Sequence, residues 1–179
     1  MLGVIMQGLV EYVRYKKGND GLKNLREKYG KSIEFNELKV YPDDEFIKFA
    51  GVVMEIMGCN DVKLCQEKLA PILFNFLRSK YPSLVREYTD LYTFLKSIPS
   101  KIHCALGVMC KENKEIRIVK ADEKEKRLVI EYLSPNKLDY LMISMIKEAA
   151  NFYKSDIDLK IKSLMSEGAD RTVVEVKII

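Results

Sequence analysis

The sequence predicts an α+β fold, with a helical N-terminal part and a four-stranded antiparallel sheet packed with helices in the C-terminal part. Three observations support this prediction. Apolar residues recur at helical spacing early in the 179-residue chain, the spacing then changes to alternation, and one further helical pattern interrupts the alternating segments. The chain has no internal repeat and no Gly/Ser-rich linker, so we expect a single domain over residues 1–179.

Glycines and prolines divide the helical part. An apolar stripe predicts a helix over residues 2–17 that ends before Gly18, and a short helix over 20–29 that Gly30 stops. Further helices are expected in four places: from Asp43 to Gly58, after a cap at Asn60-Asp61, from Pro82-Ser83 through Leu95, and from Pro99-Ser100 through Cys110. The helix after Asp61 is expected to bury Val62, Cys65, Leu69, Leu73, Phe76 and Leu77.

Four segments of alternating character predict the sheet. Residues 116–120 and 127–132 are typical of two strands joined by a charged turn, and residues 157–162 and 172–178 are typical of a hairpin. Between the pairs, Ser134 followed by Pro135 is a strong helix start, with serine as the N-cap. This long helix, over residues 135–153, is expected to bury Leu138, Leu141, Met142, Met145, Ala149 and Phe152.

Composition excludes several classes of function. Lys and Arg total 30 against 26 Asp and Glu, and the net charge of +4 is too small to indicate a nucleic-acid partner. The start of the chain does not resemble a signal peptide, and no apolar run approaches the ~18 residues of a membrane span, so we expect a cytoplasmic protein.

Four cysteines, Cys59, Cys65, Cys104 and Cys110, are expected to be reduced in that compartment. Their Cys-x5-Cys spacing departs from the Cys-x2-4-Cys spacing that is typical of zinc sites. Buried thiols are therefore favoured, and a zinc-bound structural domain is the weaker alternative.

His103 is the only histidine, which excludes any site within the chain that needs two. It adjoins Cys104, and adjacent helical residues point about 100° apart, so a Cys–His nucleophile is disfavoured. From the residues alone, two interpretations stay open: a histidine at the edge of the core, or a single axial ligand to haem, whose iron requires only one protein imidazole. Hydroxyl, amide and ammonium donors for haem carboxylates follow at a strand end: Tyr132, Ser134, Asn136 and Lys137.

The order of elements, together with His103 and the later Tyr132-Leu-Ser134, resembles the H-NOX (haem–nitric oxide/oxygen binding) family, which is related to the haem domain of soluble guanylate cyclase. The resemblance covers the whole chain and includes the segment from Tyr41 to Gly58. It implies haem b as cofactor, with His103 as the proximal iron ligand. It also implies that Tyr132 and Ser134 occupy the first two positions of the family's Tyr-x-Ser-x-Arg clamp for the haem propionates.

Two positions depart from the family pattern. Asn136 occupies the arginine position of the clamp, with Lys137 as the nearest cation. Replacing a bidentate, charge-assisted contact with an amide contact costs about 1.5–3 kcal/mol. Ile116 lies near the place where the family usually has a proline beneath the porphyrin. These departures motivate the alternative hypothesis, that the chain is an H-NOX-like binding module that has lost haem or binds another apolar ligand.

The resemblance also implies a gas preference. It places Leu141 where oxygen-binding members have a distal tyrosine, with Tyr140 turned away, and it places Ile5 and Leu9 in the distal wall. A one-residue slip in the alignment would restore Tyr140 and reverse this preference. An apolar wall offers no hydrogen-bond donor to bound O2, so the resemblance implies a sensor, not an enzyme, that binds NO and CO and excludes oxygen. It further implies weakening of the histidine–iron bond by NO. The readout would lie in a separate protein, such as a histidine kinase, a cyclic-dinucleotide enzyme or a chemotaxis receptor.

Overall fold

A computed structural model describes residues 1–102 and 116–179, and these residues form two compact units, Met1–Lys80 and Tyr81–Ile179. The predicted helix from Pro99 through Cys110 begins as one π-helical turn, Ile98–Ile102, and the rest of it, with His103, lies outside the described residues. Within the described part of the chain, no helix is both long enough and apolar enough to cross a membrane.

The first unit is helical, as predicted. Helix α1, Gly3–Tyr29, is broken at Gly18, whose φ of 62° and ψ of −153° are not helical, so the two predicted helices and the boundary between them are confirmed. Gly30, at φ 72°, ends the second of them. Helices α2 (Asp43–Ile56) and α3 (Val62–Lys80) both pack against α1.

The start of α3 confirms one sequence prediction and corrects another. The Asp61 carboxylate accepts a hydrogen bond from the Leu64 backbone N–H at 3.2 Å, as a capping residue does. Val62, expected to be buried, is 54% exposed, because it precedes the stripe that turns inward from Cys65 onward. Phe76 and Leu77 are half-buried, whereas Phe74, which the spacing did not single out, is buried.

A disulfide joins Cys59 to Cys65, with 6.1 Å between the two Cα atoms. The expectation that the cysteines are reduced is wrong for this pair in the structure. The α2–α3 corner brings the two residues together, and sequence spacing alone does not reveal that proximity. Cys104 and Cys110 lie outside the described residues.

Among its described residues, the second unit has three α-helices and the sheet. Its elements are α4 (Ser83–Arg86), α5 (Leu91–Ser97), β1 (Ile116–Asp122), β2 (Arg127–Tyr132), α6 (Asp139–Tyr153), β3 (Ile157–Ser163) and β4 (Thr172–Ile178). The strands are antiparallel in the order β1-β2-β4-β3, which confirms the predicted four-stranded sheet and the closing hairpin.

The helix predicted from Pro82 through Leu95 is instead two helices. Asp90 separates them with extended backbone, and its carboxylate accepts a hydrogen bond from the Thr93 N–H at 2.9 Å. Asp90 is therefore the N-cap of α5. The Tyr153 hydroxyl donates to the Val85 carbonyl at 2.6 Å and ties α6 to α4. Burial raises the pKa of Tyr153 to about 12.

Helix α6 begins at Asp139 and not at Pro135, so the prediction of Ser134 as its N-cap is wrong. Residues 134–137 form a turn instead, because Lys137 adopts a left-handed conformation, at φ 46°, that a right-handed helix cannot include. Phe152, expected to be buried, is 37% exposed, while Ile143 and Ile146 are buried. Apolar residues occur on both faces of α6, so spacing alone could not decide which face is inward.

Candidate functional site

The sheet places Ile116 beside Tyr132. Tyr132 is the last residue of β2, and its partners in register are Ile116 on β1 and Thr172 on β4. Tyr132 is 7% exposed and Thr172 is fully buried. Two residues that the sequence analysis assigned separately, Ile116 and Tyr132, therefore lie opposite each other on neighbouring strands.

The turn after β2 carries the other predicted clamp residues. The Ser134 carbonyl accepts a hydrogen bond from the Lys137 N–H at 3.1 Å, and the Ser134 hydroxyl accepts one from the Asn136 N–H at 3.4 Å. Ser134 is 2% exposed, Asn136 is half-buried and Lys137 is exposed. The turn thus groups a buried hydroxyl, a half-buried amide and a solvated ammonium directly after the buried Tyr132.

The first turn of α6 is held by polar contacts that the sequence analysis missed. Asp139 is fully buried, and its carboxylate accepts a hydrogen bond from the Ser166 N–H at 2.6 Å. The Tyr140 hydroxyl donates to the Glu167 carboxylate at 3.1 Å. Both partners belong to the short 3-10 turn Met165–Glu167 before β4, so this turn is fastened to the start of α6.

These contacts fix the rotation of α6 about its axis. Leu141, the next residue, is 6% exposed, whereas the Tyr140 hydroxyl is hydrogen-bonded at the surface. An acidic residue such as Asp139 in the first turn of a helix is itself a favourable signal, because it complements the helix dipole. Nothing in the local sequence indicates Glu167 as a partner, since 27 residues separate it from Tyr140.

The remaining predicted residues lie elsewhere. Ile5 and Leu9 are on α1 in the first unit, where Ile5 is half-buried and Leu9 is 5% exposed. Beside them Gly8 allows close packing on α3, because a Cβ atom there would lie 2.5 Å from Leu73 Cδ1. His103 lies outside the described residues.

The donor set at the end of β2 fits a group that bears carboxylates. Tyrosine and serine hydroxyls, the Asn136 amide and the Lys137 ammonium can all donate to carboxylate oxygens. Hydrogen bonds to a carboxylate are strongest where water is excluded, and Tyr132 and Ser134 are both buried. Within residues 1–102 and 116–179, no three His, Cys, Asp or Glu side chains cluster as a metal site would require. The donors at the end of β2 fit a carboxylate-bearing group such as haem, and their assignment to the clamp stays a prediction.

Comparison with known proteins gives a family match. The family model described as Haem-NO-binding matches residues 2–161. A comparison with curated protein sequences gives no match.

Solved structures share the fold along the whole chain. An H-NOX protein from S. oneidensis in its Fe(II)NO state superposes with a TM-score of 0.82 at 20% identity, covering 100% of this chain and 99% of that one. An oxygen-binding H-NOX domain related to soluble guanylate cyclases, in its oxygen complex, gives 0.81 at 21% identity and covers 99% and 95%. A variant of the K. algicida H-NOX protein in its unliganded Fe(II) state gives 0.77 at 14% identity and covers 100% and 97%.

Proposed function

Because the chain belongs to the Haem-NO-binding family, whose members are haem-based gas-sensor domains and not enzymes, we propose that it senses nitric oxide. It binds NO and CO, excludes oxygen and signals to a separate protein. The observation that carries this proposal is the match over residues 2–161, together with the buried Tyr132 and Ser134 at the end of β2.

Haem b, when bound, supplies a ferrous iron at which NO and CO are ligands. The residues that hold it are proposed to be His103, through its imidazole, and Tyr132 and Ser134, through hydroxyl hydrogen bonds to the propionates. Asn136 contributes an amide donor where the family has arginine. Lys137 adds a positive charge that is exposed to solvent. Its attraction to a propionate is therefore screened more strongly than that of a buried cation.

The gas preference rests on Leu141 and Tyr140. The hydrogen bond between Tyr140 and Glu167 supports the assignment of Leu141, not Tyr140, to the distal position. Leu141 offers no donor to polarised O2, and neither do Ile5 and Leu9 of α1. NO and CO need no such donor, so an apolar residue at the distal position favours them over oxygen.

The gas preference is tested on the ferrous protein prepared with haem. We expect the visible spectrum to change on addition of NO and of CO, and we expect air to give no stable oxygen complex. Leu141→Tyr introduces a hydroxyl donor and should allow an oxygen complex to form, whereas Leu141→Phe matches it in size and should not.

Tyr140→Phe is the complementary control. Because the Tyr140 hydroxyl is bound to Glu167, its removal should leave the response to all three gases unchanged. A stable oxygen complex in the unaltered protein that is lost in Tyr140→Phe would assign Tyr140 to the distal position and overturn the proposal.

The signalling partner is proposed from the family, whose members act as sensor modules for other proteins. A histidine kinase, a cyclic-dinucleotide enzyme or a chemotaxis receptor would each serve as the output. The test is binding of the purified NO-bound and NO-free chain to a candidate partner, and equal affinity for both states would contradict a sensing role.

A further inference from the structure

We propose that Cys59 and Cys65 form a reversible dithiol–disulfide site, at which the helical unit exchanges electrons with small thiols and disulfides of the glutathione class. The site lies in the α2–α3 corner of the first unit, and it includes none of the residues proposed to hold haem. It would give the protein a second input, whether or not haem is bound.

The backbone holds the two cysteines at a distance that suits a disulfide. Their Cα atoms are 6.1 Å apart, within the range of about 4.4–6.8 Å that disulfides require. The Cys59 N–H donates to the Met54 carbonyl at 2.9 Å, at the end of α2, and Gly58 makes the turn with φ 61°. The Cys65 N–H donates to the Asp61 carbonyl at 3.0 Å, in the first turn of α3. Since helix ends and not the S–S bond set these positions, reduction leaves the two thiols close enough to pair again.

The pair is buried in a corner whose connecting residues are exposed. Cys59 and Cys65 are 9% and 8% exposed, and the five residues between them on the chain, 60–64, are all exposed. The exposed connection is the side from which a small thiol would approach the pair. Cys65 lies at the start of α3, beside the exposed residues of the corner, and its thiolate is the species that attacks a disulfide.

The exchange balances with a small disulfide as the oxidant. The Cys65 thiolate attacks one sulfur of the small disulfide, forms a mixed disulfide and releases one small thiolate. The Cys59 thiolate then displaces the second, forming the protein S–S bond. Two protein thiols are oxidised, one small disulfide is reduced to two thiols, and the two protein protons pass to them. Small thiols in excess reverse both steps.

Oxidation links the end of α2 to the start of α3, and both helices pack on α1. The link restricts the unfolded chain more than the folded one, so the oxidised protein should melt at a higher temperature. The corner that carries Cys59 should also exchange its amide hydrogens more slowly when oxidised.

The experiment uses the full chain equilibrated in buffers of varied reduced-to-oxidised glutathione ratio, then alkylated and digested with trypsin. Cleavage after Lys63 separates Cys59, in peptide 49–63, from Cys65, in peptide 64–68. We expect these two peptides to appear joined in oxidising buffer and separately alkylated in reducing buffer, with full recovery in either direction. The melting temperature should rise with the joined fraction.

Cys59→Ser and Cys65→Ser are the matched controls, and each should abolish the joined peptide and the redox-dependent melting shift. Both cysteines alkylated in every buffer would overturn the proposal, because the pair would then not oxidise. Joined peptides that resist reduction in the folded protein would also overturn it, because the bond would then be a permanent structural link. Pairing of either cysteine with Cys104 or Cys110 would overturn the assignment of partners.

Discussion

Single residues at the end of β2 and the start of α6 carry the proposed site. Tyr132 and Ser134 are two positions apart in the sequence and both are buried. Asn136 is half-buried and occupies the position where the family has arginine. Asp139, two residues after Lys137, is buried, and its carboxylate accepts a hydrogen bond from the Ser166 N–H. The chemistry of this region therefore depends on which side chains are donors and which are apolar, residue by residue.

Replacing Asn136 with arginine should strengthen haem retention. Arginine restores two charge-assisted hydrogen bonds to a carboxylate, a gain of about 1.5–3 kcal/mol, or roughly 10- to 150-fold slower loss of haem. The measurement is the rate of haem transfer to an excess of apomyoglobin. Asn136→Gln, which lengthens the side chain without adding charge, should change the rate by much less. An arginine variant that loses haem as fast as the unaltered protein would remove Asn136 from the clamp.

Asp90 should stabilise the protein through its cap on α5, and this contribution should depend on pH. The hydrogen bond from the Thr93 N–H lowers the pKa of Asp90 below its usual value. The carboxylate is thus favoured in the folded state, so its stabilisation is complete above the unfolded pKa of about 3.9 and is lost as the pH falls through the lower folded pKa.

Asp90→Ala should accordingly cost about 1 kcal/mol of unfolding free energy at pH 7, and the difference from the unaltered protein should shrink in acid. Urea unfolding at a series of pH values measures this difference. Asp90→Asn retains a capping oxygen and should cost less at pH 7. A cost for Asp90→Ala that does not change between pH 7 and strongly acidic buffer would contradict the role of the carboxylate charge.

At the scale of secondary-structure elements, most of the fold was predictable from the sequence. Gly18 and Gly30 divide and end α1 because each adopts a positive φ, and the alternating segments pair as the four strands expected. The errors occur where a distant contact or an unusual backbone conformation decides the outcome. Helix α6 starts later than predicted because Lys137 has a left-handed φ, a conformation that lysine seldom adopts. No pattern in the local sequence signals such a position.

The candidate site was predictable only in part, for the same reason. Tyr132 and Ser134 were candidates from their position after a predicted strand and from the family resemblance, and their role in holding haem stays a prediction. The sheet register adds that Ile116 lies beside Tyr132. The bond between Tyr140 and Glu167 joins residues that are 27 positions apart, and sequence patterns within one helix do not report it. The Cys59–Cys65 disulfide was not predicted for a different reason: a cytoplasmic protein is expected to keep its cysteines reduced.

Two glycines in the helical unit should respond oppositely to alanine. At Gly8 a Cβ atom would lie 2.5 Å from the buried Leu73 side chain, so Gly8→Ala should separate α1 from α3 and cost about 1–3 kcal/mol. At Gly51, which is exposed on α2, nothing lies within 4 Å, so Gly51→Ala should stabilise the protein by about 0.5–1 kcal/mol. Thermal unfolding of both variants tests the α1–α3 contact, and a stabilising Gly8→Ala would show that the helices are less closely packed.

At the scale of the whole molecule, a helical unit and a sheet-bearing unit are each well packed, and the family match extends across both. His103 is the residue on which the sensor proposal depends, because no other histidine exists in the chain to serve as the axial ligand.

The visible spectrum of the full chain, purified with haem supplied, tests that dependence most directly. We predict a strong Soret band that is lost in His103→Ala and returns when imidazole is added, while Cys104→Ala, at the adjacent residue, retains the band. A colourless protein that does not take up haemin, or a His103→Ala spectrum identical to that of the unaltered protein, would contradict the central claim.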